Sequence, residues 1–139
     1  MDIEKIKVRN IAGGIVIKDE RILLVKRKYE PNIGEWCIPA GYTEKENDES
    51  VEDCCIRETK EETNIDVEPI MKVGVFRRYN SKRNRYQDMH IFSCRAKSEE
   101  VIIDDEVLDV QWIALEELNK LNVVEEMREI ILKYLGDQR

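Results

Sequence analysis

Three carboxylates stand close together in this sequence: Glu58, Glu61 and Glu62. At about 100° of helix per residue they fall at i, i+3 and i+4, so their side chains converge. Val51, Cys54 and Cys55 mark an apolar side earlier in the same segment, and that side continues into the three glutamates. Like charges at this spacing repel, and carboxylates turned toward a protein body lose hydration. A hard divalent cation held by oxygen ligands would offset both costs. The competing reading is a solvated acidic face without a ligand, because charge runs are common on helices.

The helix that must carry these residues has recognisable ends. Ser50 can accept from the free N–H groups of the first turn, and Asp53 three residues on can answer it, as in a capping box. The helix is expected to run to about Thr63, with Asn64 closing it in the left-handed conformation. Ahead of it, residues 8–17 are apolar-rich and contain Gly13-Gly14, which predicts a strand with one close backbone approach. Residues 18–20 predict a turn and residues 21–27 the returning strand. Residues 29–34 predict a loop, residues 36–39 a short extended piece and residues 41–49 a polar loop.

Pro69 places the start of the next strand near Ile70, with its end at Arg78. The strongly polar residues 79–88 predict a loop between that strand and another over residues 89–96. A strand over residues 107–114 and a helical turn over residues 115–118 follow. The last helix is expected over about residues 123–135, where Val123, Met127, Ile130, Ile131 and Leu135 recur in steps of three and four. Strand pairs around a central helix, closed by a second helix, predict an α/β/α sandwich with a mixed central sheet, in one domain over residues 1–139.

A net charge of −7 disfavours a nucleic-acid polymer as partner, since backbone binding needs surplus Lys and Arg. A small anionic ligand stays compatible, because a bound metal supplies positive charge locally. No apolar run approaches the roughly 18 residues of a membrane span. Met1 to Lys5 lack the basic-then-apolar plan of a secretory leader, so a cytoplasmic location is expected. The four cysteines contain no C-x-x-C, and the adjacent Cys54 and Cys55 diverge on a helix; buried small hydrophobes are expected rather than a zinc site or disulfides.

The segment from Gly41 to Ile65 resembles the signature of the Nudix hydrolases, G-x5-E-x7-R-E-U-x-E-E-x-G-U, where U is bulky and apolar. Gly41, Glu49, Arg57, Glu58, Glu61, Glu62 and Ile65 stand in matching roles. The spacing from Gly41 to Glu49 is two residues longer than the pattern, Thr59 occupies a U position and Asn64 replaces a glycine. The likeness extends over roughly residues 8–118: Ala12 to Val16 and Leu23 to Arg27 are similar to the family's first hairpin. Gly34 to Gly41 resembles its lead into the box, and Glu106 with Val110 to Leu118 its closing strand and turn.

The resemblance implies hydrolysis of a diphosphate linkage in a small nucleotide substrate, with Mg²⁺ (or Mn²⁺) as cofactor. It implies metal binding by Glu58 and Glu62, with Glu61 as a third ligand or as a base, and the Ala40 carbonyl as a further ligand. Gly41, Glu49 and Arg57 are expected to be structural within the box, the last two as an orienting ion pair. Glu106 is the candidate distal base or fourth ligand, with Asp104 and Asp105 as rivals. Arg27 matches a strand-end arginine that contacts substrate in some relatives; a solvated strand end is the alternative.

Arg77, Arg78, Lys82, Arg83 and Arg85 form a basic stretch, read either as a solvated hairpin or as a grip on a phosphoryl group, with Arg78 the candidate contact. Trp36, Trp112 and His90 are read as structural. ADP-ribose and (d)NTPs are the leading substrate candidates, and a homodimer is left open. The Pro39-Ala40-Gly41 segment leans toward ADP-ribose pyrophosphatases, whereas Tyr79 lies where dinucleoside polyphosphate hydrolases carry a tyrosine. The alternative is a non-catalytic Nudix-like domain that senses a nucleotide; such domains commonly lose box carboxylates, and here all are kept.

Overall fold

A computed structural model of the chain describes residues 7–138. The Met1 to Lys5 segment, read above for a leader, lies outside the described residues. The elements in order are β1 (Lys7–Lys18), β2 (Arg21–Arg27), β3 (Trp36–Cys37), β4 (Ala40–Tyr42), α1 (Val51–Thr63), β5 (Val67–Asn80), β6 (Arg85–Ala96), β7 (Val107–Ala114) and α2 (Glu125–Asp137). Two 3-10 turns, Lys45–Asn47 and Leu115–Lys120, sit in the connections.

The seven strands form one sheet in the order β3-β2-β1-β6-β5, with β4 added to β1 and β7 to β2. β1 and β6 run parallel and every other pair is antiparallel, so the sheet is mixed as expected. β1 and β2 pair only at Ile17–Ile22 and Lys18–Arg21, beside the turn where Asp19 and Glu20 adopt positive φ. Farther out, β1 takes β4 as its partner and β2 takes β3. The sheet therefore splays into two lobes, and the segment joining β3 to β4 spans the opening between them.

Side-chain alternation assigns the two faces. A Cβ on Gly14 would lie 2.9 Å from Cys94 Sγ and 3.2 Å from Cys55 Sγ, which puts α1 on the face of Ala12, Gly14 and Val16. α2 covers the other face, burying Met127, Ile130 and Ile131 and meeting β5 through Arg78 and Glu126. Gly13 makes the expected close approach: a Cβ there would lie 2.7 Å from the Pro39 carbonyl oxygen. All four cysteines are buried and unpaired, as expected of small core residues.

Three expectations are corrected. β5 begins at Val67 and contains Pro69. It is the edge strand, and its register shifts between Pro69 and Met71, so the missing N–H breaks little of the ladder. The polar segment 79–88 is mostly strand, with only residues 81–84 left as a turn. Its polar side chains pair across β5 and β6: Arg77 grips Asp88 at 2.6 and 2.9 Å, and the Tyr79 and Tyr86 rings lie 5.2 Å apart. α2 begins at Glu125, because Val123 is held in a bridge with Trp36.

Thr59, the polar residue at an apolar position of the box, is fully buried, and among the described residues its hydroxyl finds no nitrogen or oxygen partner, only the weakly accepting Cys55 sulfur. An unsatisfied buried hydroxyl costs about 1–3 kcal/mol. Thr59→Val preserves shape and removes that cost, so thermal unfolding should shift upward by a few degrees. A lowered transition temperature would show that the hydroxyl is satisfied.

Candidate functional site

The ends of α1 are held as its sequence requires. Ser50 Oγ accepts from the Asp53 N–H at 3.0 Å, and Asn64 closes the helix at φ 72° with its N–H on the Lys60 carbonyl. This rotation turns Glu58 and Glu62 inward and Glu61 outward. One carboxylate oxygen from each of Glu58, Glu62 and Glu106 falls within 4.8 Å of the others. Glu62 is 7% exposed, and the Glu58 side chain is 12% exposed. Glu106 reaches in from the exposed turn before β7, where its own N–H bonds to Asp104 Oδ1 at 2.9 Å. The geometry thus brings Glu106 to the box; Asp104 serves the turn.

Burial pushes Glu62 up to about 9, and the Glu58 and Glu106 carboxylates push it in the same direction. Burial also raises Glu58, against the opposing pull of Arg57. A set of oxygen donors that cannot all ionise together is what a hard divalent cation relieves, and the donor set suits Mg²⁺ or Mn²⁺ chemistry. A backbone hydrogen bond from Ala40 favours the ionised form of Glu62. Ala40 therefore stands beside Glu62 at the site.

Gly41 is required by contact rather than by backbone angle. A Cβ at this position would overlap the Glu58 carboxyl group. Gly41→Ala should fold, since the obstructing group is the end of a flexible side chain. It should also displace Glu58 and weaken Mg²⁺ binding about tenfold or more, as loss of one charged ligand contact does. Calorimetric titration with Mg²⁺ checks this, and unchanged affinity would separate Gly41 from Glu58.

Arg57 joins the box to its loop. Its Nε donates to Glu49 Oε2 at 2.7 Å and its Nη2 to Glu49 Oε1 at 3.0 Å, so the two residues expected to pair do so in bidentate form. Nη2 also donates to the Tyr42 carbonyl at 3.0 Å, and Nη1 to Glu58 Oε1 at 2.8 Å. Glu61 binds the same Nη1 at 3.1 Å, is exposed, and stays outside the converging trio. The Arg57 hydrogen bonds hold Glu49 below the usual carboxylate range. The two extra residues before Glu49 are absorbed by the 3-10 turn Lys45–Asn47 and by Asp48 at φ 50°, so Glu49 still reaches Arg57.

Arg27 donates through Nε to the Pro31 carbonyl at 2.6 Å, tying down the loop after β2, and its Nη1 lies 3.9 Å from Cys37 Sγ. Burial pushes the Cys37 thiol up to about 11, against the pull of the neighbouring Arg27 guanidinium. Arg78 donates to Gln87 Oε1 at 3.0 Å and pairs with Glu126 at 3.4 Å. Cys37, Gln87 and Glu126 had no sequence signal linking them to the box. Arg77 leaves the basic stretch, being committed to Asp88 on the α1 face. Trp36 is buried and Trp112 half-buried with its Nε1 on the Glu99 carbonyl, while His90 Nε2 pairs with Asn10 Oδ1 at 3.0 Å.

The NUDIX domain model matches residues 8–134, and the chain belongs to that family. It is 31% identical over 108 residues to an ADP-ribose pyrophosphatase from Methanocaldococcus jannaschii, covering 78% of this chain and 63% of the relative. It is 33% identical over 111 residues to Nudix hydrolase 8 from Arabidopsis thaliana, covering 76% of this chain and 29% of that protein. The chain thus spans less than two thirds of the length of these curated relatives. Among solved structures, a NUDIX hydrolase from Nitrosomonas europaea superposes with a TM-score of 0.77 at 25% identity, over 94% of this chain and 72% of that one. Among the described residues no helix is long and apolar enough to cross a membrane.

Proposed function

We propose that the chain is a divalent-metal-dependent pyrophosphohydrolase acting on a nucleoside diphosphate derivative, with ADP-ribose or a (d)NTP as the substrate type. The observation that carries this reading is the convergence of Glu58, Glu62 and Glu106 in a site too desolvated to hold all three charges alone. The ADP-ribose assignment draws on the activity named for the Methanocaldococcus relative. Glu58 and Glu62 hold the cation. When bound, a divalent ion offsets the charge of the diphosphate oxygens and raises the acidity of water.

Glu106 is exposed and near both ligands, which suits it to accept a proton from the attacking water or to complete the ligand set. Glu61 stays the second candidate base, tied to Arg57 and one helical turn from Glu58. Gly41, Glu49 and Arg57 hold Glu58 in place. Arg27 and Arg78 orient the phosphate groups. Water attacks one phosphorus, the bridging oxygen leaves with the other phosphate, and the proton passes to the base.

Turnover of a nucleotide panel with Mg²⁺, with Mn²⁺ and with excess EDTA tests the reading. Hydrolysis of the diphosphate bond is expected with either ion and should vanish with EDTA. Full turnover in EDTA would sink the metal dependence. Binding of ADP-ribose without hydrolysis would favour a sensing domain.

A further inference from the structure

The face opposite α1 carries two cations that the proposed reaction does not use, Arg9 and Arg85. Strand alternation and register place Arg9 of β1, Tyr42 of β4, Arg85 and Gln87 of β6 and Arg78 of β5 on that face. The Arg9 guanidinium lies 4.6 Å from the centre of the Tyr42 ring, and that of Arg85 lies 5.3 Å from it. Among the described residues neither arginine forms an ion pair. The Nε of each is buried and has no hydrogen-bond partner among the described residues. Stacking on one ring offsets only a small part of what two unpaired cations lose. Two guanidiniums stacked on one ring with no carboxylate partner among the described residues, in a chain of net charge −7, leave unmet donors.

The hydrogen bonds here have a definite polarity. Arg78 Nε donates to Gln87 Oε1 at 3.0 Å, which orients the amide and leaves Gln87 Nε2 to donate to the Tyr42 hydroxyl oxygen. Arg85 Nη2 donates to the same oxygen at 3.3 Å. With its lone pairs engaged, the hydroxyl has only its hydrogen left to offer. Arg9, Arg85 and Tyr42 therefore present donors alone, two of them on permanent cations. An acceptor-rich dianion is the complement, and a phosphomonoester offers three such oxygens in a shape that guanidinium groups match.

We infer that Arg9, Tyr42 and Arg85 form a second anion subsite that takes a terminal phosphomonoester of the substrate. It rests on the hydrolase reading for its link to the Glu58–Glu62–Glu106 site. β4 makes that link: Gly41 abuts the Glu58 carboxyl group, Tyr42 is the next residue, and Gln87 joins the Tyr42 hydroxyl to Arg78. Substrates that carry a phosphomonoester beyond the scissile diphosphate are then preferred to those ending in a neutral sugar.

Two measurements test the subsite. The first follows the arginine Nε–H signals of the full chain by NMR in EDTA, during titration with inorganic phosphate. Saturable shifts are expected at Arg9 and Arg85 but not at the exposed Arg21 and Arg95. Arg9→Gln should abolish saturation at Arg85, and Arg9→Lys should retain part of it. Shifts of equal size at all four arginines, or none, overturn the inference.

The second compares ADP-ribose with its derivative phosphorylated on the terminal ribose, in Mg²⁺. The phosphorylated substrate should have a KM about tenfold lower, the value of one charge-assisted contact. Arg9→Gln and Arg85→Gln should remove that advantage and leave ADP-ribose kinetics unchanged. Equal KM values for the two substrates in the native chain would overturn the subsite while leaving the hydrolase reading intact. Saturable phosphate binding at Arg9 and Arg85 in a chain that hydrolyses neither substrate would support the subsite and sink the hydrolase reading.

Discussion

Glu62→Gln should lower kcat by about 10²-fold or more while the protein stays folded, since metal stabilisation of the transition state is worth several kcal/mol. Glutamine keeps the shape of the side chain and removes a buried charge at the centre of the site. The same substitution should change how stability depends on pH in EDTA. Glu62 has its folded-state value raised to about 9 from 4.5, chiefly by burial. Its contribution is therefore fully present below the unfolded value and is lost as pH rises through the folded one. The native chain should lose stability between about pH 5 and 9 in EDTA, and the glutamine variant should lose less.

Mg²⁺ should reverse the trend. The cation binds the ionised carboxylates, so the stabilisation it confers should grow across the same window. Thermal unfolding at several pH values, with Mg²⁺ or with EDTA, measures all three slopes. Normal turnover by the glutamine variant would remove Glu62 from the site, and a pH-independent Mg²⁺ effect would separate the cation from these carboxylates.

Loss of Arg57 should damage stability and turnover together. Its guanidinium holds Glu49, the Tyr42 carbonyl, Glu58 and Glu61 at once, with its side chain 23% exposed and that of Glu49 11% exposed. Breaking a well-shielded pair costs about 3–5 kcal/mol, and partial solvent access lowers the expectation to about 2 kcal/mol for Arg57→Ala. Glu49→Ala should cost a similar amount. The double variant should cost much less than the sum, because the second change breaks a pair already lost. Turnover should follow the same pattern, since both residues act on Glu58. A double-mutant cycle on unfolding and on kcat measures this. Additive effects in both would mean that the residues act independently; a kcat loss at Arg57 with unchanged stability would indicate direct contact with phosphate.

Much of this was legible in one dimension because it rests on local physics. The α1 helix announces itself through Ser50, Asn64 and the i, i+3, i+4 glutamates, and capping and side-chain spacing need no distant partner. The β1–β2 hairpin is equally local: seven residues return across a two-residue turn. The Arg57–Glu49 pair spans eight residues, within reach of one long side chain.

What tertiary structure decided involves contacts between segments far apart in the chain. Helical spacing puts Glu58, Glu61 and Glu62 on one side, but only packing against β4 shows that Glu58 and Glu62 turn inward while Arg57 holds Glu61 outside. Glu106 was separated from Asp104 and Asp105 by its convergence with Glu58 and Glu62, while the turn consumes the Asp104 carboxylate. The polar residues 79–88 looked like loop because polarity reports exposure, not backbone state; pairing with β1 on one side and β5 on the other makes most of them strand. The Arg9–Tyr42–Arg85 cluster gathers three segments onto one face, and no single window of sequence contains it. Short-range spacing is set by covalent geometry and survives in the sequence, whereas convergence of distant segments exists only once the sheet register has brought them together.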